Sequence, residues 1–119
     1  MLFAVWATDR AGTLAARLQA RPQHRQRLRS PAGHAVVVRL AGPTLDDGGQ
    51  MNGSLLVVEA ASAEAVRRFV DEDPYSLDGV YGAVEIRPFA CGMGPLAPQA
   101  AADGNAQGET LLPSGGPSA

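Results

Sequence analysis

Two runs constrain this chain most: HAVVVRLA, from His34 to Ala41, and GSLLVVEA, from Gly53 to Ala60. Both are apolar at nearly every position over Val36 to Val38 and Leu55 to Val58, and the Asp- and Gly-containing stretch Thr44 to Asn52 joins them. A strand with one face in water alternates apolar and polar residues, whereas an unbroken apolar run asks for cover on both faces. Helices from a chain this short cover one face of a sheet. The second face must therefore meet another sheet, which predicts a homodimer with two sheets packed face to face.

The flanking segments set the element order. Leu2 to Thr8 reads as a buried strand. Thr13 is a candidate N-cap for a helix over Thr13 to Ala20 and Pro22 to Arg29, with a break at Arg21, because an interior proline costs about 3 kcal/mol and disfavours the α region in the residue before it. Gly42-Pro43 is expected to stop the His34 strand, and Ser62 caps a helix over Ala63 to Val70 with Val66, Phe69 and Val70 facing inward. Asp73-Pro74 starts a short helical turn, and Tyr81 to Phe89 is the last strand. The order β-α-β-β-α-β is the ferredoxin-like plan, an α+β fold with an antiparallel sheet. Residues 1–94 form this domain. Residues 95–119, rich in Gly, Pro and Ala, offer little apolar surface to offset ordering entropy and are expected to be a flexible tail, with Leu111-Leu112 as a docking point.

Charge and composition narrow the function classes. A formal net charge of −2 gives no electrostatic footprint for nucleic acid, although Arg17, Arg21, Arg25, Arg27 and Arg29 make a local basic spot. The lone Cys91 has no disulfide partner, and no Cys/His cluster has metal-ligand spacing. Asp46 and Asp47 read as turn residues rather than ligands. No run approaches the roughly 20 apolar residues that cross a bilayer, and LFAVWA after Met1 is too short for a signal sequence. The expectation is a cytoplasmic protein that needs no metal or cofactor and contacts neither membrane nor nucleic acid.

The chemistry concentrates in RLQARPQHRQRL, Arg17 to Leu28, and DEDPY, Asp71 to Tyr75. On a helical wheel Leu14, Leu18 and Leu28 share a face, with Arg17, Arg21 and His24 on or beside it. After a break at Pro22, His24 lies in a first helical turn, where the helix dipole favours a neutral, proton-accepting imidazole. If Asp73 meets His24, the two make a general acid/base unit in which the carboxylate fixes the imidazole tautomer. Arg17 and Arg21 suit a carboxylate or phenolate, and Ser54 offers a hydrogen bond. Plainer roles stand beside these. Asp73 also serves as a helix cap, His24 and the arginines as a solvated face, Ser54 as a strand start and Tyr75 as packing; His34 is expected at the surface and Cys91 inert.

MLFAVWATDR, the spacing of Asp9, Leu14, Arg17-Leu18, Arg21-Pro22 and His24, the Gly53-Ser54 pair, DEDPY, Gly79 to Tyr81 and Ile86 to Phe89 together resemble the YciI-like (YCII-related) family over about residues 1–90. The resemblance implies a dimeric α+β barrel with a pocket near the dimer interface. It matches His24 and Asp73 to the family's catalytic pair, and Arg17, Ser54 and Tyr75 to other polar positions. One relative is a dehydrochlorinase acting on a chlorinated hydroxyquinol, a lyase-type reaction. The leading expectation is a cofactor-free lyase, isomerase or hydrolase acting on a small anionic organic compound: His24 and Asp73 are catalytic, and Arg17, Arg21, Ser54 and Tyr75 bind substrate. The alternatives are a dimer that binds a metabolite without changing it, and an accessory dimer whose tail captures a partner.

Overall fold

The computed structural model describes residues 1–98. Strands β1 (Leu2–Asp9), β2 (Val36–Leu45), β3 (Met51–Ala60) and β4 (Tyr81–Phe89) alternate with helices α1 (Leu14–Arg29), α2 (Ala63–Asp71) and α3 (Pro74–Leu77) in the ferredoxin-like order. The four strands form one sheet, β2-β3-β1-β4, and every neighbouring pair is antiparallel. This unit ends at Phe89, and residues 90–98 fall in a separate unit. Of the expected tail, residues 99–119 lie outside the described residues.

The core occupies the helix-bearing face of the sheet. Phe3, Val5 and Ala7 of β1 stand opposite Val58, Leu56 and Ser54 of β3, and Val66, Phe69 and Val70 of α2 and Tyr75 of α3 close over them. Intervening residues point to the other face. There Trp6, 56% exposed, pairs with Leu55, 38% exposed, while Val37 and Leu40 of β2 are each 47% exposed. The unbroken apolar runs thus have cover on one side within the chain and an open apolar surface on the other.

Three local expectations are corrected. First, α1 is a single 16-residue helix with Pro22 inside it. Pro22 deprives only the Leu18 carbonyl of its helical donor, and Leu18 is 52% exposed, so water can satisfy that carbonyl. His24 therefore sits mid-helix rather than in a first turn, and the dipole argument for its neutrality lapses. Second, β2 runs through Gly42-Pro43 to Leu45. It is an edge strand, where one side of the backbone has no ladder to lose to a proline, and the turn shrinks to the residues after Leu45, pinned by Gly48 and Gln50 N–H donation to Asp46 Oδ1. Third, Thr13 does not cap α1 with its side chain; its hydroxyl donates to the Arg10 carbonyl instead. The Ser62 cap forms as expected, accepting from Ala65 N–H at 3.2 Å.

Gly53 is dictated by close packing. A Cβ there would collide with the Ala7 carbonyl oxygen and lie 2.5 Å from Thr44 Oγ1. The backbone contact cannot move aside, so glycine lets β1, β3 and β2 approach and sets Ser54 beside Ala7.

Candidate functional site

The inward stripe of α1 keeps Leu28 against the core but departs from the expected leucine face at Leu18. Leu18 is exposed, while Arg17, Ala20 and His24 are buried. Their i, i+3, i+7 spacing is a regular inward face, but two of the three members are polar. Each must find partners across the helix–sheet gap.

Arg17 finds them at the end of the sheet. Its Nη1 donates to both carboxylate oxygens of Asp9, at 2.9 and 3.0 Å, with the two side chains 2% and 6% exposed. Its Nη2 donates to Ser54 Oγ at 2.8 Å, and Tyr81 Oη donates to the same oxygen at 2.8 Å. Asp9 and Tyr81 are register partners in the β1–β4 pair, beside a bulge at Thr8/Asp9. Burial pushes the Tyr81 phenol pKa strongly upward, against a smaller opposing effect of its bond to Ser54.

His24 meets the segment after α2. Its Nδ1 lies 2.9 Å from both oxygens of Asp73. Asp73 is also the N-cap of α3, accepting from Tyr75 N–H at 2.8 Å, and it accepts from Arg27 Nη1 at 3.2 Å. Arg27 Nη2 bonds the Phe69 carbonyl, which ties the cation to the end of α2. The cap role and the imidazole contact therefore coexist. With the carboxylate as sole acceptor for Nδ1–H, Nε2 is the ring nitrogen left for a ligand. The Tyr75 ring stacks on the His24 imidazole at 3.9 Å and 16°, and the Arg17 guanidinium carbon lies 4.5 Å from the Tyr75 ring centre. Burial also raises the Tyr75 phenol pKa, opposed by Arg17 and then Arg21.

Arg17, Arg21, His24, Ser54 and Tyr75 all line one cavity of about 150 Å³, whose further wall includes Arg25, Leu28, Leu56 and Pro43. Asp73 does not line it and stands behind His24. Arg17 differs from the sequence expectation in one respect: most of its hydrogen-bonding capacity serves Asp9 and Ser54, so of the three arginines lining the cavity Arg21 and Arg25 are the ones with no ion-pair partner among the described residues. His34, expected at the surface, has a side chain 8% exposed, 3.0 Å from Glu72 Oε1 and edge-on to Phe69. Among the described residues no three His, Cys, Asp or Glu side chains cluster as a metal would require, and no helix is long and apolar enough to cross a membrane.

The sequence reading did not assign Asp9, Tyr81 or Arg27 to the site. Arg27 was within reach of sequence reasoning, since it lies three residues after His24 on the same helix face. Asp9 and Tyr81 meet only through strand register.

Residues 1–90 match the model of the YCII-related domain. Protein YciI of Escherichia coli O6:H1 is 36% identical over 95 residues, covering 75% of this chain and 96% of the relative. An uncharacterized protein of Haemophilus influenzae is 30% identical over 94 residues with the same coverage. Among solved structures, 5-chloro-2-hydroxyhydroquinone dehydrochlorinase (TftG) of Burkholderia phenoliruptrix, in complex with 2,5-dihydroxybenzoquinone, superposes with a TM-score of 0.64 at 31% identity, covering 75% of this chain and 93% of that one. With three-quarters of its length matched by the domain model and by close-length relatives, this chain belongs to the YCII-related family.

Proposed function

We propose that the protein is a cofactor-free acid/base catalyst of the lyase or isomerase type acting on a small organic anion, with His24 as the proton-transferring base. The observation that carries this is the His24 Nδ1–Asp73 contact of 2.9 Å, made directly behind a cavity that His24 itself lines. Asp73 accepts Nδ1–H, fixes the tautomer and stabilises the imidazolium once Nε2 has taken a proton. Arg27 and Tyr75 N–H hold Asp73 in place. Nε2 removes a proton from a hydroxyl, or from carbon beside a carbonyl. The electron pair released then moves into the conjugated system and expels a leaving group on the far side, or is reprotonated elsewhere. Arg21 and Arg25 supply positive charge, and Ser54 and Tyr75 supply hydroxyls. The dehydrochlorinase activity of the TftG neighbour is of the same class and supports the assignment.

The working unit in this proposal is a homodimer. Trp6, Val37, Leu40, Leu55 and Phe89 leave the outer sheet face open and apolar, a surface that soluble chains rarely leave uncovered.

The test is His24→Ala and His24→Gln against a panel of ring-hydroxylated acids and halogenated phenols, with product analysis. Loss of about 10²–10⁴-fold in turnover with retained fold and ligand affinity is expected. A fully active variant would refute the role. Ligand-dependent thermal stabilisation without product from the parent protein would favour the metabolite-binding alternative.

A further inference from the structure

The Ser54 hydroxyl is 1% exposed as a residue and lines the cavity. A hydroxyl has one proton and two acceptor sites. Arg17 can only donate, so its Nη2 takes one acceptor site at 2.8 Å. Tyr81 approaches at 2.8 Å and, with its ionisation suppressed by burial, keeps a proton to place. If Ser54 donated to Tyr81 instead, the phenolic proton would be buried with no acceptor among the described residues, which is unfavourable. Tyr81 therefore donates, both acceptor sites of Ser54 are filled, and its single proton is left for the cavity.

A second, independent observation points the same way. Arg17 Nε is buried and has no hydrogen-bond partner among the described residues, although Nη1 and Nη2 of the same guanidinium bond Asp9 and Ser54. No carboxylate lines the cavity, whereas Arg17, Arg21 and Arg25 do. Around Ser54 the lining thus offers donors from the hydroxyl and the guanidinium groups, while His24 Nε2 and the Tyr75 hydroxyl are the lining side-chain groups able to accept.

We propose that Tyr81 and Arg17 together lock Ser54 as a donor-only group, forming with Arg21 an oxyanion-binding wall for the carboxylate or phenolate of a single-ring compound. Tyr81 is the positioning residue of this wall. A cavity near 150 Å³ matches one six-membered ring, and Leu28, Leu56 and Pro43 give that ring an apolar bed. A neutral alcohol gains less there because neither Ser54 nor Arg21 can accept its proton. This inference rests on the acid/base reading only for the location of the pocket; the proton-transfer role of His24 is not needed for it.

The experiment is calorimetric titration of the full chain with benzoate and with benzyl alcohol, which share a ring and differ in offering only acceptors or also a donor. Benzoate carries no proton for His24 to remove, so turnover and this binding test fail separately. The parent protein is expected to prefer benzoate by about tenfold or more. Ser54→Ala should weaken benzoate about tenfold and leave benzyl alcohol within about twofold. Tyr81→Phe, which keeps the ring, reopens an acceptor site on Ser54, so the benzoate preference should fall severalfold through tighter alcohol binding as well as weaker benzoate binding. This second variant carries the test if Ser54→Ala does not fold. A parent protein without benzoate preference, or a preference unchanged in a folded Tyr81→Phe variant, overturns the proposal.

Discussion

Replacing Arg17 by Met would strand the Asp9 carboxylate, 6% exposed, without the guanidinium that now donates to both its oxygens. Removing one partner of a buried pair costs about 3–5 kcal/mol, because the remaining charge stays desolvated. Against a typical total of 5–15 kcal/mol for a domain, that is a large fraction. With a urea slope near 2 kcal/mol/M, the midpoint should fall by roughly 2 M. Asp9→Leu alone should cost less, since Arg17 retains Ser54 and the Tyr75 ring. The double variant Arg17→Met/Asp9→Leu leaves neither charge buried. It should recover most of the loss, giving a coupling of about 2–3 kcal/mol in a double-mutant cycle. Equilibrium urea unfolding at one fixed protein concentration reads this directly, the concentration mattering because dimerisation would add to apparent stability. Strictly additive single effects, or an Arg17→Met variant as stable as the parent, would refute the claim that this pair braces the end of the sheet.

Four further outcomes are expected. Asp73→Asn keeps an acceptor for Tyr75 N–H but turns an amide N–H toward His24, so turnover should drop by about 10²-fold or more while melting falls only modestly; unaltered turnover would remove Asp73 from the mechanism. Pro22→Ala restores the bond to the Leu18 carbonyl inside a continuous α1 and should raise stability by about 1–3 kcal/mol by thermal melting; a loss would mean that the proline is favoured by the helix geometry. Tyr75 and Tyr81 both have pKa values raised by burial above the usual 10.0. Their protonated forms are thus favoured by the folded state, and the stability they contribute is complete below pH 10 and lost as pH rises beyond it; Tyr81→Phe should flatten this alkaline decline, followed by unfolding and tyrosinate absorbance. Trp6→Lys should lower the dimer fraction in sedimentation without unfolding the protomer, and an unchanged assembly would exclude the outer sheet face as the contact.

Much of the scaffold was legible because it depends on local signals. The runs around Val36 and Leu55, the Ser62 and Asp73 caps, and the spacing of helices and strands gave the order and type of elements. The failures at Pro22 and Gly42-Pro43 share a cause. Both prolines sit where the backbone group they leave unpaired faces water or an open edge, a circumstance set by the fold and invisible in the local sequence. His34 was misplaced for a similar reason, since Phe69 and Glu72 reach it from α2 and its C-terminal cap.

The candidate site divides along the same line. By itself the sequence determined that an imidazole, several guanidinium groups and an aspartate capping a proline-started turn would exist, and that helical spacing would set Arg17, Arg21 and His24 on or beside one face. Only the tertiary structure decided that Arg17 would be spent largely on Asp9 and Ser54, that Tyr81 would bond Ser54, and that Asp73 would stand behind the imidazole. Those contacts span 8 to 49 positions along the chain. Strand register and the docking of α1 on the sheet create them, and the buried polar groups then have no other partners to choose.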